Sequence, residues 1–333
     1  MPVHEVFVYV HGVTPRGQQS HAGQYASLHN AIIAQAAKLN PPKVIPTDYC
    51  GVEWGWDPTN GQGKSHQLLD KAEEALGDRA VAAASDASDW TINPMRIAVD
   101  KFRGLMIYNF ADMFYYVSQD GKTALRYAMA NSIIERLRQM NVDLDNDAVS
   151  LTLIAHSAGS VVAFDFLFAL FYRPRQVQEF IDPSLVQSGP SQRGPAAASP
   201  AEVDKTLNDL KRLKTMAETG RLRARRLFTF GSPITPLAFR ADSLLAILAR
   251  NDRVDAAQYG LTTNGNFQDP LPNPRWVNFW DKDDPIAWPV EPLMKQAGAE
   301  VKDVYIDVSD SVTNAHESYW NNVDFHQELA KRW

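Results

Sequence analysis

Ser157 stands in the run Ala155-His156-Ser157-Ala158-Gly159, between the strand-forming stretch "VSLTLIA" (149–155) and an apolar stretch of helical character (158–171). A serine hydroxyl becomes a nucleophile when a base takes its proton, an acid orients that base and N–H donors receive the oxyanion. Of all the serines in the chain, only Ser157 has Gly or Ala two residues before it and Gly two residues after it. Small residues belong there because a sharp strand-to-helix turn brings neighbouring backbone close. A buried turn without chemistry would leave the same five residues, so the partners decide.

On a parallel sheet the partners must come from the carboxyl ends of different strands, which makes chain order the test. Among the eight histidines, His316 follows the strand-like "VKDVYIDV" (301–308) by a short loop and precedes a helix. His326 lies inside the helical "DFHQEL", where histidine more often packs, and His156 and His11 belong to the turns that carry them. An acidic loop, Asp281-Lys282-Asp283-Asp284-Pro285, follows "WVNFW" (276–280). Both Asp281 and Asp284 are candidate acids; Pro285 would fix the turn beside Asp284. A solvated acidic loop is the plainer reading. Gly12, after "VFVYV" (6–10), would let backbone approach a substrate, and the N–H of Ala158 would point out of a helix N-terminus towards negative charge.

The elements that must position these residues alternate in type. Strand-like runs recur at 6–10, 44–54, 149–155, 226–231, 276–280 and 301–308, several nearly continuous in Val, Ile, Leu, Phe and Tyr, as strands buried on both faces are. Between them His21 to Leu39 reads as a helix, and Leu125, Met129, Ile133, Leu137 and Met140 recur at helical spacing. The alternation predicts a mostly parallel α/β sheet with right-handed crossovers. Two segments stand outside it and read as insertions on a single domain spanning 1–333. Residues 57–120 end in the aromatic "GLMIYNFADMFYYV" (104–117); residues 173–222 hold a partly flexible Pro/Ser/Gly/Ala stretch (183–202) and a charged helix.

With 333 residues and 45% hydrophobic content the chain can bury a large core, and a net charge of −6 argues against nucleic acid as a partner. Cys50 is the single cysteine, so no internal disulfide forms. No apolar run approaches the roughly 20 residues that span a bilayer. The opening "MPVHEVFVYVHG" has no signal-peptide pattern, so the expectation is a soluble, cytoplasmic protein of undetermined oligomeric state.

The stretch "AHSAG" resembles the nucleophile elbow of the α/β-hydrolase fold, in the variant of some lipases and esterases where alanine replaces the first glycine. "VFVYVHGVTPRG" (6–17) is similar to that family's donor loop, "FGSP" (230–233) to a segment of fungal-type lipases, the acid loop to a lipase pattern that matches best at Asp284, and "AHESYW" (315–320) to its histidine loop. The resemblance implies an α/β-hydrolase with a trimmed, mostly parallel sheet of about six strands, flanked by helices and carrying helical cap-like insertions. It implies a triad of Ser157, Asp284 and His316, with Asp281 the second choice as acid. The N–H groups of Val13 and Ala158 would form the oxyanion hole. The implied activity is esterase or lipase chemistry on a small-molecule or lipid-like ester, without cofactor or metal; thioesterase, amidase and acyltransferase reactions share the triad.

Other readings have less behind them. "PTNGQGKSHQLL" (58–69) looks like a phosphate-binding loop, but Pro58 stands where the first glycine should be and has no N–H to offer. No His-Glu-x-x-His or similar ligand spacing appears. A non-catalytic binding protein on the same fold remains the main alternative. The aromatic face of 104–117 would line an acyl pocket if 57–120 is a cap, or pack on the sheet if it is not, and Trp54, Trp56, Trp280 and Trp288 lie near strand ends that could border the mouth.

Overall fold

The computed structural model describes residues 2–13, 20–54, 119–171, 181, 199–238, 260–261, 274–296, 300–311 and 314–333. Six strands among them, β1 (Val3–Val10), β2 (Tyr49–Val52), β3 (Ala148–His156), β4 (Leu222–Phe230), β5 (Trp276–Trp280) and β6 (Val301–Tyr305), form one sheet in the order β2-β1-β3-β4-β5-β6. Every neighbouring pair is parallel. β3 is buried at all nine positions, which is why it reads as an unbroken apolar run.

The chain steps from β1 outward to β2, then back across β1 to β3. Connections therefore leave β1 and β3 in opposite directions and open a crevice at their carboxyl ends, the usual location of a site on such a sheet. Gly12 follows β1 and Ser157 follows β3, so both stand at that crevice.

Helices cover both faces. One core joins the sheet to α2 (Gln119–Gln139), α3 (Ala158–Phe171) and α4 (Pro200–Glu218) through residues such as Leu125, Ile133, Val162, Phe166, Leu207 and Leu213. The other joins it to α1 (Ala22–Ala36) and α8 (Val323–Arg332) through Leu28, Ile32, Phe325 and Leu329. α3 is buried except at Val161 and Asp165, which fits its position under neighbouring helices. α4 starts in a capping box, with Ser199 and Glu202 each satisfying the other's backbone N–H, and Pro200 occupies the first turn, where no N–H is needed. Three short helices, α5 (Ile234–Ala238), α6 (Glu291–Gln296) and α7 (Ala315–Ser318), lie in the connections.

Differences from expectation have local causes. The run 44–54 yields only Tyr49–Val52 as strand, because Pro46 cannot donate to a ladder. The run 301–308 stops at Tyr305, where the chain turns to the acid loop: Ile306 N–H bonds the Trp280 carbonyl at 3.0 Å and Val308 N–H the Asp281 carboxylate at 2.7 Å. β4 begins at Leu222, earlier than its apolar part suggests, since arginines occupy its first half. The possible cap, the phosphate-loop-like stretch at 58–69, Trp56 and residues 183–198 lie outside the described residues. No described helix is long and apolar enough to cross a membrane.

Candidate active site

Ser157 is the one residue between β3 and α3, and its φ is 51°, a conformation that side chains other than Gly seldom adopt. Such a backbone costs on the order of 1–3 kcal/mol and persists only where the surroundings over-determine it. Ser157 N–H donates to the Phe230 carbonyl at 2.9 Å, while its own carbonyl accepts from the Ser160 N–H at 3.0 Å and the Ser160 hydroxyl at 2.5 Å. A Cβ on Gly159 would lie 2.1 Å from the His11 carbonyl oxygen, so only glycine lets α3 start this close to β1. A Cβ on Gly12 would lie 2.5 Å from Ser157 Cβ. Both glycines are thus explained by the approach of the two turns to each other.

The three side chains expected to act together meet in one buried hydrogen-bonded chain. His316 Nε2 is 2.8 Å from Ser157 Oγ, and His316 Nδ1 is 2.9 and 3.1 Å from the two oxygens of Asp284. Because a carboxylate only accepts, Nδ1 carries the proton and Nε2 is left to accept from the serine hydroxyl. Burial on its own would push the His316 pKa down, but the charge and hydrogen bond of Asp284 outweigh it and hold the imidazole above its ordinary value. The site therefore favours imidazolium at His316, the charge a general base acquires.

Asp281, the other candidate acid, faces elsewhere. Its carboxylate accepts from the backbone N–H groups of Asp283 and Val308, at 2.9 and 2.7 Å, tying the end of β5 to the chain beyond β6. Tyr319 is buried near both carboxylates; burial first, then the charges of Asp284 and Asp281, raise its phenol pKa, so it stays a neutral hydroxyl.

Three supporting residues were given no role by sequence reasoning. His156, immediately before the serine, lies 2.9 Å through Nε2 from the His316 carbonyl, and its ring packs 4.6 Å from the His316 ring. Burial, with the nearby His316 charge, holds the His156 pKa well below the ordinary value, so it is neutral. Nε2 then carries the proton and donates, fixing the backbone that bears His316. Gly231 has φ 58°, and a Cβ there would come within 3.1 Å of His316 Cε1. Ser232 Oγ bonds Ser160 Oγ at 2.7 Å and its carbonyl accepts from Trp288 N–H at 3.0 Å, bracing the serine turn and the acid loop against each other. Gly231 and Ser232 sit in the "FGSP" segment, the one signal that could have found them; His156 had none beyond its place next to Ser157.

The turn after β1 is held from below. Trp54 N–H donates to His11 Nε2 at 3.1 Å, so His11 Nδ1 carries the proton and donates to the Gly12 carbonyl at 2.5 Å. In a trans peptide the N–H opposes the carbonyl, so anchoring the Gly12 carbonyl to His11 turns the Val13 N–H to the other side. The Ala158 N–H, at the first position of α3, meets no acceptor among the described residues. Trp54 is only 2% exposed and stacks on His11, so it supports this turn and does not border a mouth; Trp288, 48% exposed, lies on the surface of the acid loop.

Among the described residues two groups of side chains have metal-ligand composition: His11, His21 and Glu53, and His156, His316 and Glu317. Neither is arranged for an ion. The His11 and His21 rings stack at 3.7 Å and 7°, whereas a metal must lie in the plane of each ring it joins. In the second group both nitrogens of His316 are engaged by Asp284 and Ser157.

The described fold is thus an α/β protein with an all-parallel sheet and a buried Asp-His-Ser chain at its carboxyl edge. Comparison of the chain with protein-family models, with curated proteins and with solved structures finds no match, so its function is read from this site.

Proposed function

We propose that this protein is a serine hydrolase of the α/β-hydrolase type that cleaves carboxylic esters through an acyl-enzyme. The observation that carries the reading is the continuous Asp284–His316–Ser157 hydrogen-bonded chain with its serine at positive φ. In the reaction His316 Nε2 takes the proton of Ser157 Oγ as that oxygen attacks the ester carbonyl. Asp284 keeps the imidazole in the tautomer that makes this transfer and stabilises the imidazolium. The oxyanion lies against the N–H groups of Val13 and Ala158, the second at the positive end of α3. The imidazolium gives its proton to the leaving alkoxide. Water then attacks the acyl-serine with His316 again as base, and the acid departs. None of these steps requires a cofactor.

The test is hydrolysis of p-nitrophenyl esters of increasing acyl length by the wild type and by Ser157→Ala, with thermal unfolding as the folding control. Wild-type activity that a folded Ser157→Ala variant lacks supports the reading, and the length profile measures the acyl pocket. Inert wild-type protein favours the non-catalytic binding protein, and a variant as active as the wild type shows that Ser157 is not the nucleophile.

A further inference from the structure

Tyr319 follows His316 by three residues, where α7 passes into the short helical turn Tyr319–Asn321. On helical backbone that spacing puts the two side chains on one face. Tyr319 is 0% exposed, and its ring packs 5.7 Å from Phe230, 5.8 Å from Phe325 and 6.4 Å from His156. Its hydroxyl is buried and closes no bond of full hydrogen-bond geometry among the described residues. We propose that this hydroxyl donates to the Asp284 carboxylate and that Tyr319 is a positioning residue for the Asp284–His316 pair. The role rests on the ester-hydrolase reading and deepens it.

A fully buried position suits tyrosine only if its O–H finds an acceptor, because phenylalanine fills the same space with no polar atom to satisfy. Asp284 has the matching vacancy. A carboxylate offers about four lone-pair positions. Asp284 Oδ1 accepts from the Ile286 N–H at 2.9 Å and from His316 Nδ1 at 3.1 Å, whereas Oδ2 accepts at full geometry from His316 Nδ1 alone, at 2.9 Å, among the described residues. The Asp284 side chain is fully buried, so bulk water does not complete the set. The two groups are close: the Asp284 side chain lies within interaction range of the phenol, as does the Asp281 backbone. The Asp281 carboxylate is already taken up by the N–H groups of Asp283, Val308 and Ser309, which leaves Asp284 as the acceptor.

The bond has two consequences for His316. Ile286 fixes one oxygen of Asp284 and Tyr319 fixes the other, so the carboxylate cannot pivot away from the imidazole while Nε2 exchanges its proton with Ser157. A donor to a carboxylate also draws off part of its charge, which tempers the pull of Asp284 on the imidazole. The other titratable groups that bear on this cluster are His156 from β3, Asp281 from the acid loop and Glu317 from α7. A Tyr319→Phe exchange leaves all three in place, so a change in the titration of His316 reports the hydroxyl.

Tyr319→Phe keeps the ring packing and removes the hydroxyl alone. Two measurements on the full chain test it, with thermal unfolding as the folding control. One is the pH profile of p-nitrophenyl ester hydrolysis. The other is the titration of His316 followed by NMR of the imidazole nitrogens in histidine-labelled protein, the signals being assigned by their loss in His316→Ala. The expected result is that the acid limb and the His316 midpoint both move to higher pH, by about 0.5–1 unit. The plateau kcat should fall severalfold, with KM within about twofold of the wild type. That direction is opposite to the one expected of Asp284→Asn. Because the effect passes through Asp284, adding Tyr319→Phe to Asp284→Asn should move the midpoint little further. A midpoint that stays or falls in folded Tyr319→Phe, or one that rises equally in the Asp284→Asn background, overturns the proposal. The titration needs no activity: a wild-type protein that hydrolyses nothing overturns the ester reading, while the His316 midpoint still decides the Tyr319 bond, so the two fail separately.

Discussion

Two residues other than glycine hold a positive φ among the described residues, Asn141 at 55° and Ser157 at 51°. Their surroundings differ. Asn141 is exposed just past the end of α2, where Val142 N–H closes back on the Leu137 carbonyl at 3.0 Å, an ordinary helix ending for which asparagine is suited. Ser157 is 6% exposed, ends no helix, and is held by contacts from β1, β4 and its own helix. The same dihedral is a local choice in one place and an imposition by the fold in the other. What the imposition achieves is direction: it aims Oγ at His316, whose ring is in turn held by Asp284, His156 and Gly231.

Variants at the two sites should therefore part company. Ser157→Ala should lower ester-hydrolysis kcat by roughly 10⁴–10⁶, measured in steady state on the folded protein. Asn141→Ala should leave kcat within about twofold and appear only as a loss of about 1 kcal/mol in denaturant unfolding. Equal effects of the two on rate would erase the distinction.

Next in size is the pair of aspartates. Asp284→Asn should reduce kcat by about 10⁴. Hydrolysis needs neutral His316, so the wild-type rate should rise with pH through an imidazole pKa held above the ordinary value. Without the Asp284 charge, burial is opposed only by the smaller effect of the Glu317 charge, and the acid limb of the profile should move to lower pH. Asp281→Asn should instead weaken the fold by about 1–3 kcal/mol through its lost backbone bonds and leave the acid limb in place. A shifted limb in Asp281→Asn and an unshifted one in Asp284→Asn would reverse the assignment.

Displacing the serine without removing it is a smaller step. A Gly12→Ala methyl would press on Ser157 Cβ, and a misplacement of about 1 Å should cost roughly 10²-fold in kcat. The smallest effect concerns stability. Ser157→Gly relieves the positive φ and should raise the unfolding free energy by about 1 kcal/mol while abolishing hydrolysis. Asn141→Gly should gain less, since asparagine tolerates that conformation. A Ser157→Gly variant less stable than the wild type would mean that the backbone there is not strained.

How much of this was legible in the chain depended on the range of the interaction. The bounds of β5 and α3 and nearly all of β3 follow from dense apolar runs, and the order Ser157, acid, His316 could be read from turns placed after strands. The lipase-like pattern with Pro285 put Asp284 first and Asp281 second as the acid, but what separates them in the structure is what folds over them, since both follow β5 in one acidic loop. The bond from His156 to the His316 carbonyl spans 160 positions, and that between Ser160 and Ser232 spans 72. Such pairings have no local period to reveal them.

The central claim is that Ser157 is activated, and covalent labelling tests it most directly. The protein would be incubated with a fluorophosphonate and the modified peptide located by mass spectrometry. The account predicts one adduct per chain, on Ser157, formed rapidly in the wild type, severely slowed in a folded His316→Ala variant and absent in Ser157→Ala. An unlabelled wild-type protein, or equal labelling in His316→Ala, would show that the serine is not activated by His316 and would contradict the account.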